Sequence, residues 1–303
     1  MNLPRPLLAL LEARVVLELG TLVLALPWLR QASAGDGHPV LLLPGFGAGD
    51  RSLESLRLFL AGRGYAVETW GLGTNRGFSR RYSALIEQKV RFLQHRHGRR
   101  VSLVGWSLGG VFAFYAAHAA PECVRSVIAL GSPLRFDPDH PPPPGVRAMY
   151  RALATPFSPE THAARARSRE MRAPPPAPST CLYSAGDGLV APEQATLPGD
   201  PATHENVRIP GSHLGLPLNP VAMWVVADRL AQPEGAWRPF APEGLLAATG
   251  CAVPTDAGGV APPRGTARSS RAGTARGTPG PAAVRGRRSA TGTPGRRSAS
   301  PRT

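Results

Sequence analysis

From Pro39 to Leu230 the sequence repeats one two-part unit, a short apolar run followed by a stretch of helical periodicity. The runs are PVLLL (39 to 43), AVETW (66 to 70), VSLVG (101 to 105), VRSVIAL (124 to 130), CLYS (181 to 184) and NVRI (206 to 209). Several are continuous rather than alternating, as expected of parallel strands covered on both faces. Between them, RSLESLRLFLAGRG sets Leu53, Leu56, Phe59 and Leu60 on one helical face before a glycine stop. SALIEQKVRFLQHRHG behaves likewise, and PVAMWVVADRLAQP closes the series. Strand and helix in strict turn predict an α/β fold built on a doubly wound, mainly parallel sheet with right-handed crossovers.

Three segments fall outside that rhythm. Residues 134–178 are proline-rich (DPDHPPPPG, APPPAPS) around two short helical stretches, near 146 to 155 and 160 to 172, and read as a lid-like insertion. Residues 1–35 read as a hydrophobic or amphipathic helix. An apolar run from Leu19 to Leu29 precedes Ala32-Ser33-Ala34, a small-residue pattern like a cleavage site, yet Glu12 and Glu18 cancel Arg14 and Arg5 and remove the positive start of a signal peptide. The same charges argue against a membrane span. The expectation is a cytoplasmic protein whose N-terminal helix packs on the domain or lies at a membrane surface. The α/β domain itself is expected over 36–240, leaving 241–303 as a disordered Arg/Pro/Gly/Ala-rich tail that, from Cys251 onward, holds no aromatic residue.

Much of the formal charge of +15 comes from that tail. Arginine clusters bind phosphate, but sequence-tolerant nucleic-acid binding adds aromatic stacking, so no nucleic acid is expected as a partner. Cys123, Cys181 and Cys251 have neither metal-type spacing nor an even count for a disulfide framework. Asp137, Asp139 and His140 lie close together, but a proline run follows them and no further ligand clusters there, so no metal or cofactor is expected.

Gly105-Trp106-Ser107-Leu108-Gly109 places a serine between an apolar run and a helical pattern. That context suits a nucleophile held on a sharp strand-to-helix turn, where side chains at the flanking glycines would collide. A serine nucleophile needs a base, and the base an orienting acid, at later strand ends. Asp187 follows the run 181 to 184 and His213 follows the last run, in the order serine, acid, histidine. Asp137 and Asp139, after the fourth strand, remain alternatives for the acid, whereas His38 and His204 precede their strands and should lie at the opposite end of the sheet. His95, His97, His118 and His162 read as surface residues. Oxyanion donors are expected at the backbone N–H groups of Leu108, opening the helix after the serine, and Phe46, in the glycine-rich loop LLLPGFGAGDRS.

On LLLPGFG, VGWSLGG, LGSP, YSAGDGLVAP and GSHLGL the chain resembles the α/β-hydrolase superfamily, in its esterase and lipase branch, over about Pro39 to Leu230. The resemblance implies a catalytic triad of Ser107, Asp187 and His213, oxyanion donors Phe46 and Leu108, and no metal or cofactor. It implies hydrolysis of a small-molecule or lipid carboxylic ester through an acyl-enzyme, with thioesterase or acyltransferase chemistry as the alternative use of the same triad. A catalytically silent binding protein on this fold is the alternative of another class. Two departures stand out: Pro44 occupies the place where a histidine often precedes the oxyanion glycine, and a hydrophobic helix replaces the leading antiparallel strands. Met149, Tyr150, Leu153 and Phe157 are candidate walls of an acyl pocket. Oligomeric state is not legible in the chain.

Overall fold

The computed structural model describes residues 10–135, 143–153, 174–198 and 202–254. Asp137, Asp139, His140, Phe157, His162, the second helix expected in the insertion, and the chain beyond 254 lie outside the described residues.

Six parallel strands form the sheet: β1 (Pro39–Leu43), β2 (Ala66–Thr69), β3 (Val101–Trp106), β4 (Val124–Leu130), β5 (Ser179–Tyr183) and β6 (His204–Arg208), in the order β2-β1-β3-β4-β5-β6. The chain leaves β1 for β2 on one side, then crosses to β3 on the other. Loops at the carboxyl ends of β1 and β3 therefore diverge and leave a crevice, the place where open α/β sheets carry their sites. The unbroken apolar runs are explained by burial from both faces: Val40 and Leu42 join one core, Leu41 and Leu43 the other.

The helices are α1 (Val15–Leu29), α2 (Glu54–Gly62), α3 (Arg80–His97), α4 (Leu108–Ala119), α5 (Pro144–Leu153), α6 (Pro192–Ala195), α7 (Pro220–Ala231) and α8 (Gly244–Ala248). α1, α2 and α7 cover the face of Val40, Val104 and Ile128; α3 and α4 cover the face of Leu41, Leu103 and Val127. Local chemistry sets their ends. Ser79 accepts the Tyr82 N–H ahead of α3, and Gly98 ends that helix at φ 61°. Asn219 accepts the N–H groups of Val221 and Ala222, with Pro220 opening α7. α4 is apolar on nearly every side because it runs between the sheet and α3.

α1 packs on the domain through Leu22, Leu29 and a stack of Trp28 on Trp224, with ring centroids 4.4 Å apart. Its other face stays apolar and in solvent: Val16, Leu17, Val23 and Leu24 are 61–83% exposed. No described helix is long and apolar enough to cross a membrane.

The domain does not stop at 240. Phe240, Leu246 and Cys251 are buried in the core of the α1 face, and Ala252 forms an antiparallel bridge with Arg208. The packed chain therefore continues past the boundary expected at 241, at least as far as Ala252. α8 brings in a single buried leucine within an otherwise Gly- and Ala-rich stretch, too little apolar density to register in composition.

Candidate active site

Ser107 follows β3 and, among the described residues, is the one non-glycine with positive φ, at 53° with ψ −123°. An L-residue adopts that conformation only when its surroundings enforce it. Here they do so by crowding. A Cβ on Gly105 would stand 2.4 Å from the Gly109 carbonyl carbon, one on Gly109 2.0 Å from the Leu43 carbonyl oxygen, and one on Gly110 2.0 Å from Ser132 Oγ. The glycines let α4 start hard against β1, β3 and the end of β4. The Ser107 N–H donates to the Leu130 carbonyl at 2.8 Å, tying the turn to the neighbouring strand.

Asp187 and His213 meet at the next strand ends. Asp187 Oδ1 accepts the N–H groups of Leu189 (2.8 Å) and Val190 (2.7 Å), which leaves Oδ2 to receive His213 Nδ1 at 2.7 Å. Both side chains are buried. A carboxylate on Nδ1 fixes the proton there and turns the lone pair of a neutral imidazole to Nε2. Burial alone would lower the basicity of His213. The charge and hydrogen bond of Asp187, joined by the charge of Glu12, outweigh it and hold the imidazole above its ordinary range.

Two further contacts build this end of the sheet. Trp106 donates its indole N–H to the His213 carbonyl at 3.1 Å, so the residue before the serine also holds the histidine loop. Gly131, after β4 at φ 55°, backs the acid–histidine pair: a Cβ there would be 3.2 Å from both Asp187 Oδ2 and His213 Nδ1, and 2.5 Å from Leu216. The LGSP motif carried this residue without revealing its job.

The loop after β1 lies beside the serine, since a Cβ on Gly45 would be 3.1 Å from the Ser107 Cβ. Asn75 holds that loop. Its side chain donates to the Pro44 carbonyl at 2.9 Å, its carbonyl accepts the Gly47 N–H at 2.8 Å, and its N–H donates to the Ala48 carbonyl at 2.8 Å. Phe46 sits at the centre of the segment so gripped, and Leu108 opens α4 opposite. Asn75 is invisible as a site residue in sequence because its partners lie about thirty positions upstream. From above, Met149 and Leu153 of α5 cover Gly47, with Met149 Sδ 3.2 Å from where a Cβ would stand. They are the described part of the insertion that reaches this site; the side chain of Tyr150 is outside the described residues.

An acid–histidine–serine chain occupies the opposite end of the sheet. Asp36 contacts His38 Nδ1 at 2.5 Å, and His38 Nε2 lies 2.9 Å from Ser102 Oγ, which meets Ser126 Oγ at 2.9 Å. His38 and Ser102 are fully buried, and Ser102 sits inside β3 with its ladder paired on both sides. No substrate reaches that serine; the chain satisfies buried polar groups. His204 is likewise buried at the start of β6, bonded to Thr203 Oγ1 and the Pro198 carbonyl. Among the described residues no three His, Cys, Asp or Glu side chains converge to hold a metal, and all three cysteines are free and buried.

The chain belongs to the alpha/beta hydrolase family, whose model matches residues 40–290. A lipolytic enzyme of metagenomic origin, from a study of LipS and LipT, is 22% identical, with 65% of this chain and 93% of that one covered and a TM-score of 0.46. Aspergillus fumigatus lipase B is 17% identical, with 69% of this chain and 58% of that one covered and a TM-score of 0.50. The thioesterase domain from the curacin biosynthetic pathway is 18% identical over 66% of this chain and 93% of that one, at a TM-score of 0.46. Likeness at such identities is likeness of fold. Comparison with functionally curated sequences finds no match.

Proposed function

We propose that the protein is a serine hydrolase that cleaves a carboxylic ester through an acyl-enzyme on Ser107. One observation carries the reading: a serine on a strained turn after β3 and a buried Asp187–His213 pair after β5 and β6, bonded at 2.7 Å, stand at carboxyl ends of one sheet. Nε2 of His213 takes the Ser107 proton as Oγ attacks the ester carbonyl, and Asp187 stabilises the imidazolium. The backbone N–H groups of Phe46 and Leu108 receive the developing oxyanion, Leu108 with the favourable end of the α4 dipole. The imidazolium then protonates the leaving alkoxide, and the same histidine activates the water that releases the acid. Met149 and Leu153, over the oxyanion loop, favour an apolar acyl group.

The test is fluorophosphonate labelling of the protein and of Ser107→Ala, with the adduct located by peptide mass spectrometry. Labelling confined to Ser107, followed by turnover of p-nitrophenyl esters of rising acyl length, is the expected result. A folded wild type that takes no label, or takes it on Ser102, rejects the reading.

The partner surface in this reading is a lipid–water interface contacted by α1. Its outward face, Val16, Leu17, Val23 and Leu24, carries no charge, and the ten arginines after Cys251 complement anionic headgroups.

A further inference from the structure

The acid and histidine turns are held from an unexpected quarter, the turn of chain that enters α1. Glu12 is buried beneath them. Its Oε1 accepts the N–H of Gly188, next to the acid, at 2.8 Å and the N–H of His213 itself at 3.0 Å, while Oε2 accepts the N–H of Leu214 at 2.9 Å. A buried carboxylate is costly unless it is met by donors, and here three backbone donors from two separate turns meet it. Arg14 repeats the bridge with opposite charge, donating to the carbonyls of Gly186 and Gly211 at 2.8 Å each. Glu18 takes the N–H and hydroxyl of Ser212 at 2.8 and 2.7 Å and pairs with Arg14 at 3.4 Å.

The glycines of the two turns fit these three side chains. A Cβ on Gly186 would lie 2.6 Å from Arg14 Nη2, and one on Gly215 only 1.3 Å from Glu18 Oε2. GSHLGL and SAGDG are thus shaped both for the triad and for the segment beneath it. Glu18 of α1 thus faces the domain while Leu17 and Leu24 face solvent, the reverse of the usual placement of charge and leucine on a surface helix.

We propose that Glu12, seconded by Arg14 and Glu18, is a positioning residue of the hydrolytic site: it locks the Asp187 turn to the His213 turn, so that the base is aligned before substrate arrives. The proposal rests on the triad reading above. Glu12 touches no reacting atom and acts through backbone. Among the described residues, the charged groups around His213 are Asp187 on its ring, Glu12 under its own N–H, Glu18 through Ser212, and Arg14 through Gly211. Removing the Glu12 charge therefore lowers the basicity of the imidazole, an effect that a merely structural contact would not have.

The experiment compares the full chain with Glu12→Ala, Glu12→Gln and Gly215→Ala, with Glu54→Gln on the exposed surface as control. Three quantities are read: the rate of fluorophosphonate labelling at Ser107, kcat and KM for a p-nitrophenyl ester against pH, and the titration of the His213 imidazole by NMR. Glu12→Ala should label about 10- to 100-fold more slowly, with kcat falling in parallel and KM moving less than about threefold, since alignment rather than binding is lost. Gly215→Ala, which pushes Glu18 aside without altering charge, should slow labelling about 3- to 10-fold. In Glu12→Gln the His213 titration and the kinetic pH profile should both shift to lower pH. Wild-type labelling by folded Glu12→Ala, or an unshifted His213 titration in Glu12→Gln, overturns the proposal. If Glu12→Ala does not fold, the Ser107 labelling rate of Glu12→Gln, whose side chain offers one accepting oxygen to these N–H groups instead of two, decides together with its titration. A wild type that fails to label at Ser107 defeats the hydrolase reading, while the His213 titration still judges the positioning role.

Discussion

Trp106 and His213 are joined twice. The indole N–H donates to the histidine carbonyl at 3.1 Å, and the two rings lie 5.8 Å apart at 39°. The serine turn and the histidine loop, more than a hundred residues apart in the chain, are thereby referenced to one another through the residue that precedes Ser107. Trp106→Phe keeps an aromatic body and deletes the donor. The His213 carbonyl then keeps only the longer bond from the Leu216 N–H, at 3.4 Å, and the loss should cost about 1 kcal/mol of stability by urea denaturation. A loosened base should lower kcat about tenfold while KM stays nearly constant.

The raised basicity of His213 sets a pH window. In the proposed role of general base the imidazole must be neutral, so kcat/KM should rise with pH to a plateau whose half-point lies above the ordinary histidine value of 6.5. The folded state binds this proton more tightly than the unfolded chain. The stability it contributes is fully present below the ordinary histidine value and is lost as pH rises through the folded one, the same window in which activity appears. Asp187→Asn should abolish the upward shift and cut kcat about 10³- to 10⁴-fold, as measured on a p-nitrophenyl ester across pH.

His38 has the opposite sign. Burial holds its basicity below the ordinary value, against the pull of Asp36 and with the help of the Arg125 and Arg99 charges. The unfolded chain takes up this proton first, so stability falls as pH drops below the ordinary histidine value of 6.5. Asp36, held well below the usual carboxylate range by His38 and Arg125 in spite of its burial cost, extends the loss further into acid. Melting temperature should decline as pH falls below the ordinary histidine value of 6.5, and His38→Gln should flatten that decline while leaving Ser107 labelling intact.

Gly131 backs the acid–histidine pair at φ 55°, a conformation that strains any side chain. Gly131→Val would press on Leu216, Asp187 and His213 together. The expected outcome is a loss of about 2–4 kcal/mol in stability and at least a tenfold loss of labelling rate at Ser107 in the fraction that folds.

The features legible in the sequence and those that were not differ in range. Each strand announces itself by its own apolar run, and the runs at 39 to 43 and 124 to 130 coincide with β1 and β4 to the residue. Ser107, Asp187 and His213 could be placed at strand ends because each stands directly after such a run. Asn75, Gly131 and Glu12 act on chain that is about 30, 56 and 201 positions away, and nothing local marks them. Glu12 and Glu18 were visible as charges that spoil a signal peptide; that they point inward is a consequence of where α1 docks. The buried acid–histidine–serine chain at Asp36, His38 and Ser102 shows why residue types alone do not identify a site. Its serine lies in the middle of a sheet, with no strained turn and no opening.

The outward face of α1 yields the last prediction. Leu24 and Leu17 are 83% and 74% exposed, on a helix whose acidic residues are occupied with the His213 loop rather than with solvent. A face of this kind gains by entering an interface, by about 1.5–3 kcal/mol for each leucine fully withdrawn from water. Full-length protein should therefore float with vesicles that contain anionic lipid, and Leu24→Asp should weaken that partition by at least tenfold. Because α1 and the turn before it are seated on the Asp187 and His213 turns through Glu12, Arg14 and Glu18, a chain beginning at Asp36 should lose the α1 share of vesicle binding and Ser107 labelling together. Leu24→Asp should lose only the first, because the outer face and the inner clasp are separate surfaces of one helix. Equal flotation of wild type and Leu24→Asp would remove α1 from the membrane reading.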